Sequence, residues 1–288
     1  MVLSRREFLG MGAGVLGASA LGAGLHEPYE IAVTHVEIKL KRLPPAFHNL
    51  RIAQLSDIHF NTFVPGSHIA RAVELTNEQK PDLVLLTGDY VTAGFNGEER
   101  TARAEQAWPC GDLLRRLEAR LGCFAVLGNH DCVTNAQIVT EALSASGRIA
   151  VLRNQSTAIE KDGARLWIAG VDDVTMLLAR PEEALRGVPR KECTIGAVHE
   201  PDYADEMVKY PVDFQLSGHS HGGQIRLPGV GALYLPYGAR KYPSGHYRLG
   251  GLQLYTNRGI GVIGVPLRFL CLPEITLFTL KNAQMSAG

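Results

Sequence analysis

Five short polar segments each follow an apolar run of the sequence and contain residue types that bind metal ions. They are Ser56-Asp57-Ile58-His59, Thr87-Gly88-Asp89-Tyr90, Gly128-Asn129-His130-Asp131, Val198-His199-Glu200 and Gly218-His219-Ser220-His221. Any one of them is weak evidence, because Gly-Asp and Asn-His turns are common. Carboxylates, imidazoles and an amide carbonyl gathered in one place, however, are the ligand set of two divalent transition-metal ions, with a carboxylate bridging the ions. The five segments therefore predict a dinuclear metal centre.

The spacing of the histidines and carboxylates sets conditions on the local backbone. His219 and His221 can reach two ions about 3.5 to 4 Å apart only if the turn between them is tight, and the neighbouring Gly218 and Gly222 permit such a turn. Asp57 and His59 are also two residues apart, so on an extended segment both side chains would project to the same side. We therefore expect Asp57 and His59 to chelate one ion together.

The apolar runs predict the elements that carry these segments. Strands are predicted over 51–55, 83–86, 124–127, 150–153, 166–171, 193–198, 214–216, 223–227, 251–256 and 275–280, and helices over 67–79, 112–121 and 135–145. The first half alternates strands with helices, as in a parallel α/β sheet whose functional loops gather at the carboxyl ends of the strands. Strands dominate from residue 149 onward, which predicts a second sheet packed on the first. Residues 30–43 predict an antiparallel or edge strand with a possible bulge.

Composition excludes a wholly disordered chain, a collagen-like repeat and a small disulfide-stabilised scaffold. With 288 residues, 45% hydrophobic and 20% charged, the chain can bury a sizeable core. The 29 basic and 29 acidic residues balance, so no nucleic-acid partner is expected from charge alone. Five cysteines cannot form a complete disulfide framework, and Cys110 and Cys123 are expected not to pair because they bracket the predicted helix at 112–121. No linker or repeat divides residues 30–280, which predicts one catalytic domain.

The N-terminus predicts export from the cytoplasm. Ser4-Arg5-Arg6-Glu7-Phe8-Leu9 places two arginines before an uncharged, glycine-rich stretch that ends at Leu25. That order resembles a twin-arginine signal, so residues 1–25 are predicted to be such a signal peptide, read by the twin-arginine translocase. The alternative is an uncleaved membrane anchor, because this stretch is at the lower length limit for spanning a bilayer. In either case the folded domain is expected in the periplasm or at the outer face of the cytoplasmic membrane.

Taken in order, the motifs D-x-H, G-D, G-N-H-D, H and G-H-x-H resemble the calcineurin-like metallophosphoesterase superfamily over residues 51–221. The twin-arginine start and the stretch Gly-His-Ser-His-Gly-Gly-Gln-Ile-Arg-Leu-Pro resemble in particular the exported YkuE/YaeI-type phosphodiesterases. The resemblance implies an α/β fold of two packed mixed β-sheets flanked by helices, a four-layer α/β/β/α sandwich. It also implies two divalent metal ions, for which the mixed ligand set favours Mn, Fe or Zn.

The resemblance assigns roles to individual positions. One ion would be held by Asp57, His59 and His221. The other would be held by Asn129, His199 and His219. Asp89 would bridge the two ions, and a metal-bridging hydroxide would attack the phosphorus in line. His130 would face the scissile phosphate, with its pKa raised and its tautomer fixed by a hydrogen bond to Asp131; the alternative is that these two residues form a structural pair without a catalytic part.

The predicted activity is hydrolysis of a phosphodiester in a small-molecule or lipid-linked substrate. A phosphomonoesterase, a nucleotide or lipid pyrophosphatase, and a non-catalytic metal-binding module are the alternatives. Arg258, after the predicted strand 251–256, either contacts a substrate oxygen or is a solvated strand-end residue. Residues 259–272, apolar apart from Arg268, either pack in the second sheet or form an apolar wall for a lipid-linked substrate.

Overall fold

The computed structural model describes residues 22–285 except Thr62 and Phe95. Residues 1–21, most of the predicted signal or anchor, lie outside the described residues. In the described part of the chain no helix combines the length and apolarity needed to span a membrane. Residues 22–26 are helical, and in the part of the chain described beyond them the α-helices are α1 Gly66–Glu78, α2 Gly97–Glu105, α3 Ala107–Leu114, α4 Asn129–Ser144, α5 Pro181–Ala184 and α6 Ala204–Met207.

Two six-stranded sheets form the centre of the fold. The first has the strand order β1-β14-β2-β3-β4-β5 and the second β12-β13-β9-β8-β7-β6. The first sheet is built from β1 Ala32–Leu40, β2 Arg51–Leu55, β3 Leu83–Leu86, β4 Cys123–Ala125, β5 Ile149–Val151 and β14 Glu274–Asn282. The second is built from β6 Gln155–Lys161, β7 Ala164–Gly170, β8 Cys193–Ala197, β9 Phe214–Ser217, β12 Gly245–Leu249 and β13 Leu252–Thr256. A separate hairpin pairs β10 Arg226–Leu227 with β11 Gly231–Ala232.

The alternation of side chains along β3 shows how the layers pack. Leu83 and Leu85 belong to the core between the two sheets, together with Ile195 and Phe214 of the second sheet. The intervening Val84 and Leu86 face the other way, into the core that β3 shares with helices α1, α3 and α4. A strand buried on both faces has a continuous apolar sequence, as β3 does. A third cluster packs the short helices α5 and α6 on the outer face of the second sheet. The predicted four-layer α/β/β/α fold is confirmed.

Strand direction brings the polar segments to one edge. Strands β2, β3, β4 and β5 run parallel to one another, as do β7, β8, β9 and β13. The five polar segments follow β2, β3, β4, β8 and β9. The carboxyl ends of parallel strands lie at the same edge of a sheet, so the polar segments of each sheet lie together at that edge. In the sandwich these two edges are next to each other.

Several predicted strands belong elsewhere in the fold. The strands predicted at 150–153 and 275–280 lie in the first sheet as β5 and β14, not in the second. β14 inserts between β1 and β2, a pairing between distant parts of the chain that local sequence patterns do not encode. β1 is an edge strand as predicted, but it pairs parallel to β14 in an unbroken register without a bulge. β6 and β12 were not predicted, and in 223–227 only the last two residues form a strand.

Two helix predictions need correction. The helix predicted at 112–121 is α3 Ala107–Leu114, which begins earlier because a proline is tolerated in the first turn. It ends early because the Asn77 side chain binds the carbonyl of Arg116 and the amide of Glu118, groups that a continued helix would use. α4 begins at Asn129, six residues before the predicted start, and is kinked at Asn135. All five cysteines are free.

Candidate metal centre

The metal-ligand candidates leave their strands in an unusual backbone conformation. Positive φ angles occur at Asp57 (50°), His59 (48°), Asp89 (59°), His219 (66°) and His221 (50°). Residues other than glycine rarely adopt this left-handed region, and such strain concentrates at functional sites. The expectation that Asp57 and His59 lie on an extended segment is therefore wrong. The tight turn predicted around His219 and His221 is present.

One cluster consists of the buried side chains of Asp57, His59 and His221. The Nε2 atoms of His59 and His221 lie 3.1 Å apart, and His221 Nε2 lies 3.5 Å from Asp57 Oδ1. Ligand atoms about 2.0 to 2.2 Å from one ion, at tetrahedral to octahedral angles, are separated by about 3 to 3.5 Å. The three side chains are therefore spaced as the ligands of a single ion.

A second cluster consists of Asp89, His199 and His219, and a third group, His59, Asp89 and His130, overlaps both. Asp89 Oδ2 lies 3.2 Å from His199 Nε2 and 3.5 Å from His59 Nε2 of the first cluster. The Asp89 carboxylate therefore stands between the two clusters, at the position of a bridging ligand. The structure thus brings together six of the seven side chains that the resemblance had divided between two ions, and the seventh, Asn129, lines the cavity beside them.

Hydrogen bonds to backbone carbonyls fix the tautomers of two of these histidines. His199 Nδ1 lies 2.6 Å from the carbonyl oxygen of Thr87, and His219 Nε2 lies 2.8 Å from that of Tyr237. A carbonyl can only accept, so each of these ring nitrogens carries the proton. In the neutral tautomers the opposite nitrogens, His199 Nε2 and His219 Nδ1, are the acceptors. Burial opposes protonation of His199, but the Asp89 carboxylate beside Nε2 raises the pKa of His199 well above its usual range, so without a cation Nε2 carries a proton towards Asp89.

The site contains buried acceptors that the protein itself does not satisfy. His219 Nδ1 and Asn129 Oδ1 are buried without a hydrogen-bond partner among the described residues, and His199 Nε2 faces only the Asp89 carboxylate. Buried polar atoms are almost always paired, so two unpaired acceptors on residues that line the same cavity call for a ligand outside the chain. Metal ions fit this donor set, because neutral imidazoles held by carbonyl hydrogen bonds are a common form of metal ligand.

The electrostatics of the site agree with cation binding. Burial lowers the pKa of His59 to about 3 and that of His219 to about 4, so both imidazoles are neutral near pH 7. Burial raises the pKa of Asp57 to about 6, which is the cost of a carboxylate without a compensating cation. Burial opposes ionisation of Asp89 as well, yet the surrounding His199 and His130 hold the pKa of Asp89 well below its usual range.

Two glycines allow the clusters to approach one another. A Cβ atom at Gly128 would collide with the carboxylate of Asp89, and one at Gly218 would collide with the side chains of Ser56 and Asp57. No side chain can shift to relieve these contacts without moving a ligand. Gly128 and Gly218 are therefore required for close approach of the backbone to the ligands.

His130 and Asp131 have different partners from those expected. Asp131 accepts hydrogen bonds from the backbone N–H groups of Asp89, Tyr90, Val91 and Gly128. The expected hydrogen bond between Asp131 and His130 is therefore wrong, because the Asp131 carboxylate is used to hold the loop after β3. His130 Nδ1 instead accepts the N–H of Ala93 at 2.9 Å, which places the proton of the neutral ring on Nε2.

Two arginines near the site have structural partners. Arg258 Nε donates to Glu274 at 2.9 Å, and Arg258 does not line the cavity described below. The structure thus gives this predicted substrate contact a structural role. Arg268, which sequence reasoning had not singled out, is fully buried and donates to the carbonyls of Arg258, Gly259, Gly261 and Cys271. Its only sequence signal is a lone charge within an apolar run.

Arg268 is linked to the ligands through the loop that it holds. The amide of Gly261 donates to the carbonyl of Asp57 at 2.7 Å, and that of Ile260 donates to the carbonyl of Ser56 at 2.9 Å. The guanidinium thereby fixes the loop that supports a predicted ligand. Sequence reasoning also missed Thr87 and Tyr237, whose carbonyls orient His199 and His219. It could not have found them, because every residue has a backbone carbonyl.

A cavity of about 410 Å³ opens over the two clusters. Asp89, Asn129, His130, His219 and His221 lie at its base, and its walls are formed largely by Ile225, Leu233, Tyr234, Pro236, Ile263 and Val265. A second cavity of about 620 Å³ shares His130 and Ile263 with it. The alternative that residues 259–272 pack in the second sheet is wrong for Ile260 and Val262, which are buried in the core between the first sheet and its helices. Ile263 and Val265 form part of the cavity wall.

Comparison with known proteins identifies the family. The calcineurin-like phosphoesterase family matches residues 50–223, more than half of the chain. The uncharacterized metallophosphoesterase YkuE of Bacillus subtilis is 37% identical over 292 residues, covering 98% of this chain and 99% of that protein. The phosphodiesterase YaeI of Escherichia coli is 32% identical over 287 residues, covering 97% and 100%. The crystal structure of TT1561 of Thermus thermophilus, 11% identical, aligns with a TM-score of 0.46 over 73% of this chain and 89% of that one. The chain belongs to the calcineurin-like metallophosphoesterase family, as its motifs had indicated.

Proposed function

We propose that this protein is a dinuclear metal-dependent phosphodiesterase. The observation that carries the proposal is the placement of the Asp89 carboxylate between two ligand clusters, at the base of an open cavity. The relationship over the full chain to YaeI, a phosphodiesterase, supports the same activity.

In the proposed reaction, one set of side chains would bind the metal ions and His130 would donate a proton or hydrogen bond. When bound, divalent ions would supply positive charge to the phosphoryl oxygens and acidify the attacking water. Asp57, His59, Asp89, Asn129, His199, His219 and His221 would hold the ions. His130 presents an Nε2–H at the cavity, where it can donate to a phosphoryl oxygen or to the leaving-group oxygen.

The composition of the cavity favours a diester over a monoester. Among the described residues that line it there is no lysine or arginine, and much of its wall is apolar. A phosphomonoester dianion carries more charge than a diester monoanion and has only one ester arm. A wall without cationic side chains suits the singly charged diester, and the apolar surface can accept its second arm.

Hydrolysis of matched aryl esters tests the proposal. The purified protein, stripped of metal and reconstituted with Mn²⁺ or Zn²⁺, should bind about two ions per chain, as a dinuclear centre requires. It should hydrolyse bis(p-nitrophenyl) phosphate at least about tenfold faster than p-nitrophenyl phosphate, which corresponds to a difference of about 1.4 kcal/mol between the two activation free energies. A faster monoester reaction would identify a phosphomonoesterase instead. Full metal binding without hydrolysis of either ester would favour the non-catalytic alternative.

A further inference from the structure

Exposed apolar side chains are concentrated around the mouth of the cavity. Seven of the fifteen exposed large hydrophobic side chains in the described part of the chain lie in two segments, residues 225–238 and 259–273. We call these two segments the apolar rim. Its most exposed members include Val230 (70%), Leu233 (57%), Tyr234 (71%) and Tyr237 (75%). Contiguous exposed apolar surface of this kind marks an interaction site.

The two segments of the apolar rim form one continuous surface. The amide of Arg226 donates to the carbonyl of Phe269 at 2.9 Å, and the amide of Phe269 donates to the carbonyl of Gln224 at 3.0 Å. The side chain of Gln224 also accepts the amide of Ile263 at 2.9 Å. These bonds tie the β10–β11 hairpin to the loop before β14.

The apolar rim carries almost no charge. Its charged residues are Arg226 and Arg268, and it contains no Asp or Glu. Arg268 is fully buried, and Arg226 is partly buried with its guanidinium bound to the carbonyl of Gly222. A surface without carboxylates, with exposed tyrosines beside aliphatic side chains, has the composition of proteins that sit at the membrane interface.

The chain enters the described structure next to the apolar rim. Residues 8–25 contain no charged residue, and the carbonyl of Gly24 accepts the amide of Arg268 at 3.0 Å. Retained as a membrane anchor, which is the alternative to a cleaved signal, an apolar segment attached at this point would raise the local concentration of membrane around the rim. Two weak contacts joined in this way bind far more strongly than either one alone.

We propose that the apolar rim docks on the surface of a lipid bilayer and holds the metal centre against the headgroups. The substrate class would then be a phosphodiester amphiphile, with its phosphate at the cavity base and its alkyl chain along the apolar wall of Leu233, Ile263 and Val265. The statement about substrate rests on the proposed phosphodiesterase function. The statement about docking does not depend on it.

Docking is tested by tryptophan quenching in the full-length protein. Val230, at the tip of the β10–β11 hairpin, is changed to Trp, and Val208 is changed to Trp as the matched control. Val208 is 40% exposed and lies against Gly250, at the opposite end of β13 from the metal centre. With phosphatidylcholine and phosphatidylglycerol vesicles containing brominated phosphatidylcholine, we expect strong quenching for V230W and none beyond the native tryptophans for V208W.

The substrate class is tested with two diesters that differ only in chain length. Hexadecyl p-nitrophenyl phosphate is presented in vesicles, and ethyl p-nitrophenyl phosphate in solution. Val230→Asp should lower the rate on the hexadecyl ester by about tenfold or more, because burial of an aliphatic side chain contributes about that factor. It should leave the rate on the ethyl ester unchanged, and Val208→Asp should change neither rate.

The outcomes separate the two proposals. Equal quenching of V230W and V208W, or no binding to vesicles, would overturn docking through the apolar rim. Docking on lipid would also be refuted if the protein formed a dimer that Val230→Asp dissociated and that did not bind vesicles. Quenching of V230W without hydrolysis of either ester would uphold docking and contradict the phosphodiesterase function. Equal rates of wild type and Val230→Asp on the hexadecyl ester would overturn the substrate class.

Discussion

His130 and Asp131 are neighbours in sequence with separate tasks in the structure. His130 faces the cavity with its Nε2–H, whereas the buried Asp131 carboxylate accepts four backbone N–H groups and so holds the loop that carries Asp89. His130→Ala should therefore leave metal content near wild type and lower kcat by about 10²- to 10⁴-fold, as the loss of a proton donor does. Metal analysis and steady-state kinetics on the same samples measure both effects.

Asp131→Asn is the matched comparison for His130→Ala. An amide nitrogen replaces one carboxylate oxygen and faces N–H groups that it cannot accept from, so the loop loses support and the metal content should fall together with the stability. Asp89→Ala should lose metal most completely, because it removes a ligand from both clusters. A normal metal content in Asp131→Asn, with only kcat reduced, would show that Asp131 acts in catalysis after all.

The candidate ligands that the structure brings together could be picked out in the sequence because each follows an apolar strand in a recognisable motif. The tautomers could not, because they depend on the carbonyls of Thr87 and Tyr237, and a carbonyl belongs to every residue. The partner of Asp131 was missed for a related reason. A carboxylate beside a histidine suggests a hydrogen bond between the two side chains. In the structure the Asp131 carboxylate instead accepts backbone amides, including that of Asp89, which has a positive φ.

At the scale of elements, helix α1 is coupled to the loop that supports Asp57. His68 of α1 is buried, and its Nε2–H donates to the carbonyl of Ile260 at 3.2 Å. Burial lowers the pKa of His68 below its ordinary value of 6.5. The folded protein therefore binds this proton less tightly than the unfolded chain does, and stability that is present above about pH 6.5 is lost as the pH falls towards the folded pKa.

This linkage predicts a pH-dependent difference between wild type and His68→Gln. Glutamine keeps a donor for Ile260 but does not titrate, so the variant should lose less free energy of unfolding between pH 7 and pH 5. The difference is at most about 1.4 kcal/mol per pH unit, the value for one proton. Urea unfolding of both proteins in chelator at pH 7, 6 and 5 measures it. Parallel curves would contradict the assigned state of His68.

The predicted bounds were most accurate for elements that are buried on two faces or clearly amphipathic. Strands β2 and β3 have the predicted bounds, and α1 differs from its prediction by one residue at each end. The errors arise where distant contacts decide the outcome. β14 pairs with β1 and β2 across more than two hundred residues of chain, and α3 stops where Asn77 of another helix binds its following residues. No local pattern contains that information.

At the scale of the whole molecule, the chain combines a buried two-cluster metal site with an N-terminus that we propose directs export. Each cluster takes residues from both sheets, so the proposed metal sites would be complete only once the two sheets have packed. A protein that folded outside the cytoplasm would collect metal there, where the affinity order favours Cu²⁺ and Zn²⁺ over Mn²⁺ and Fe²⁺. Export of a folded, loaded protein avoids that competition.

Replacing the arginine pair tests this connection. Arg5→Lys/Arg6→Lys keeps the charge of the N-terminus but removes the twin-arginine motif, so we expect folded, metal-loaded and active protein to accumulate in the cytoplasm. Cell fractionation, with metal and activity measured in each fraction, provides the result. Normal recovery outside the cytoplasmic membrane would refute dependence on the twin-arginine route. An inactive protein without metal in the cytoplasm would refute the metal-loading rationale while leaving the route intact, because retention and loading are measured separately.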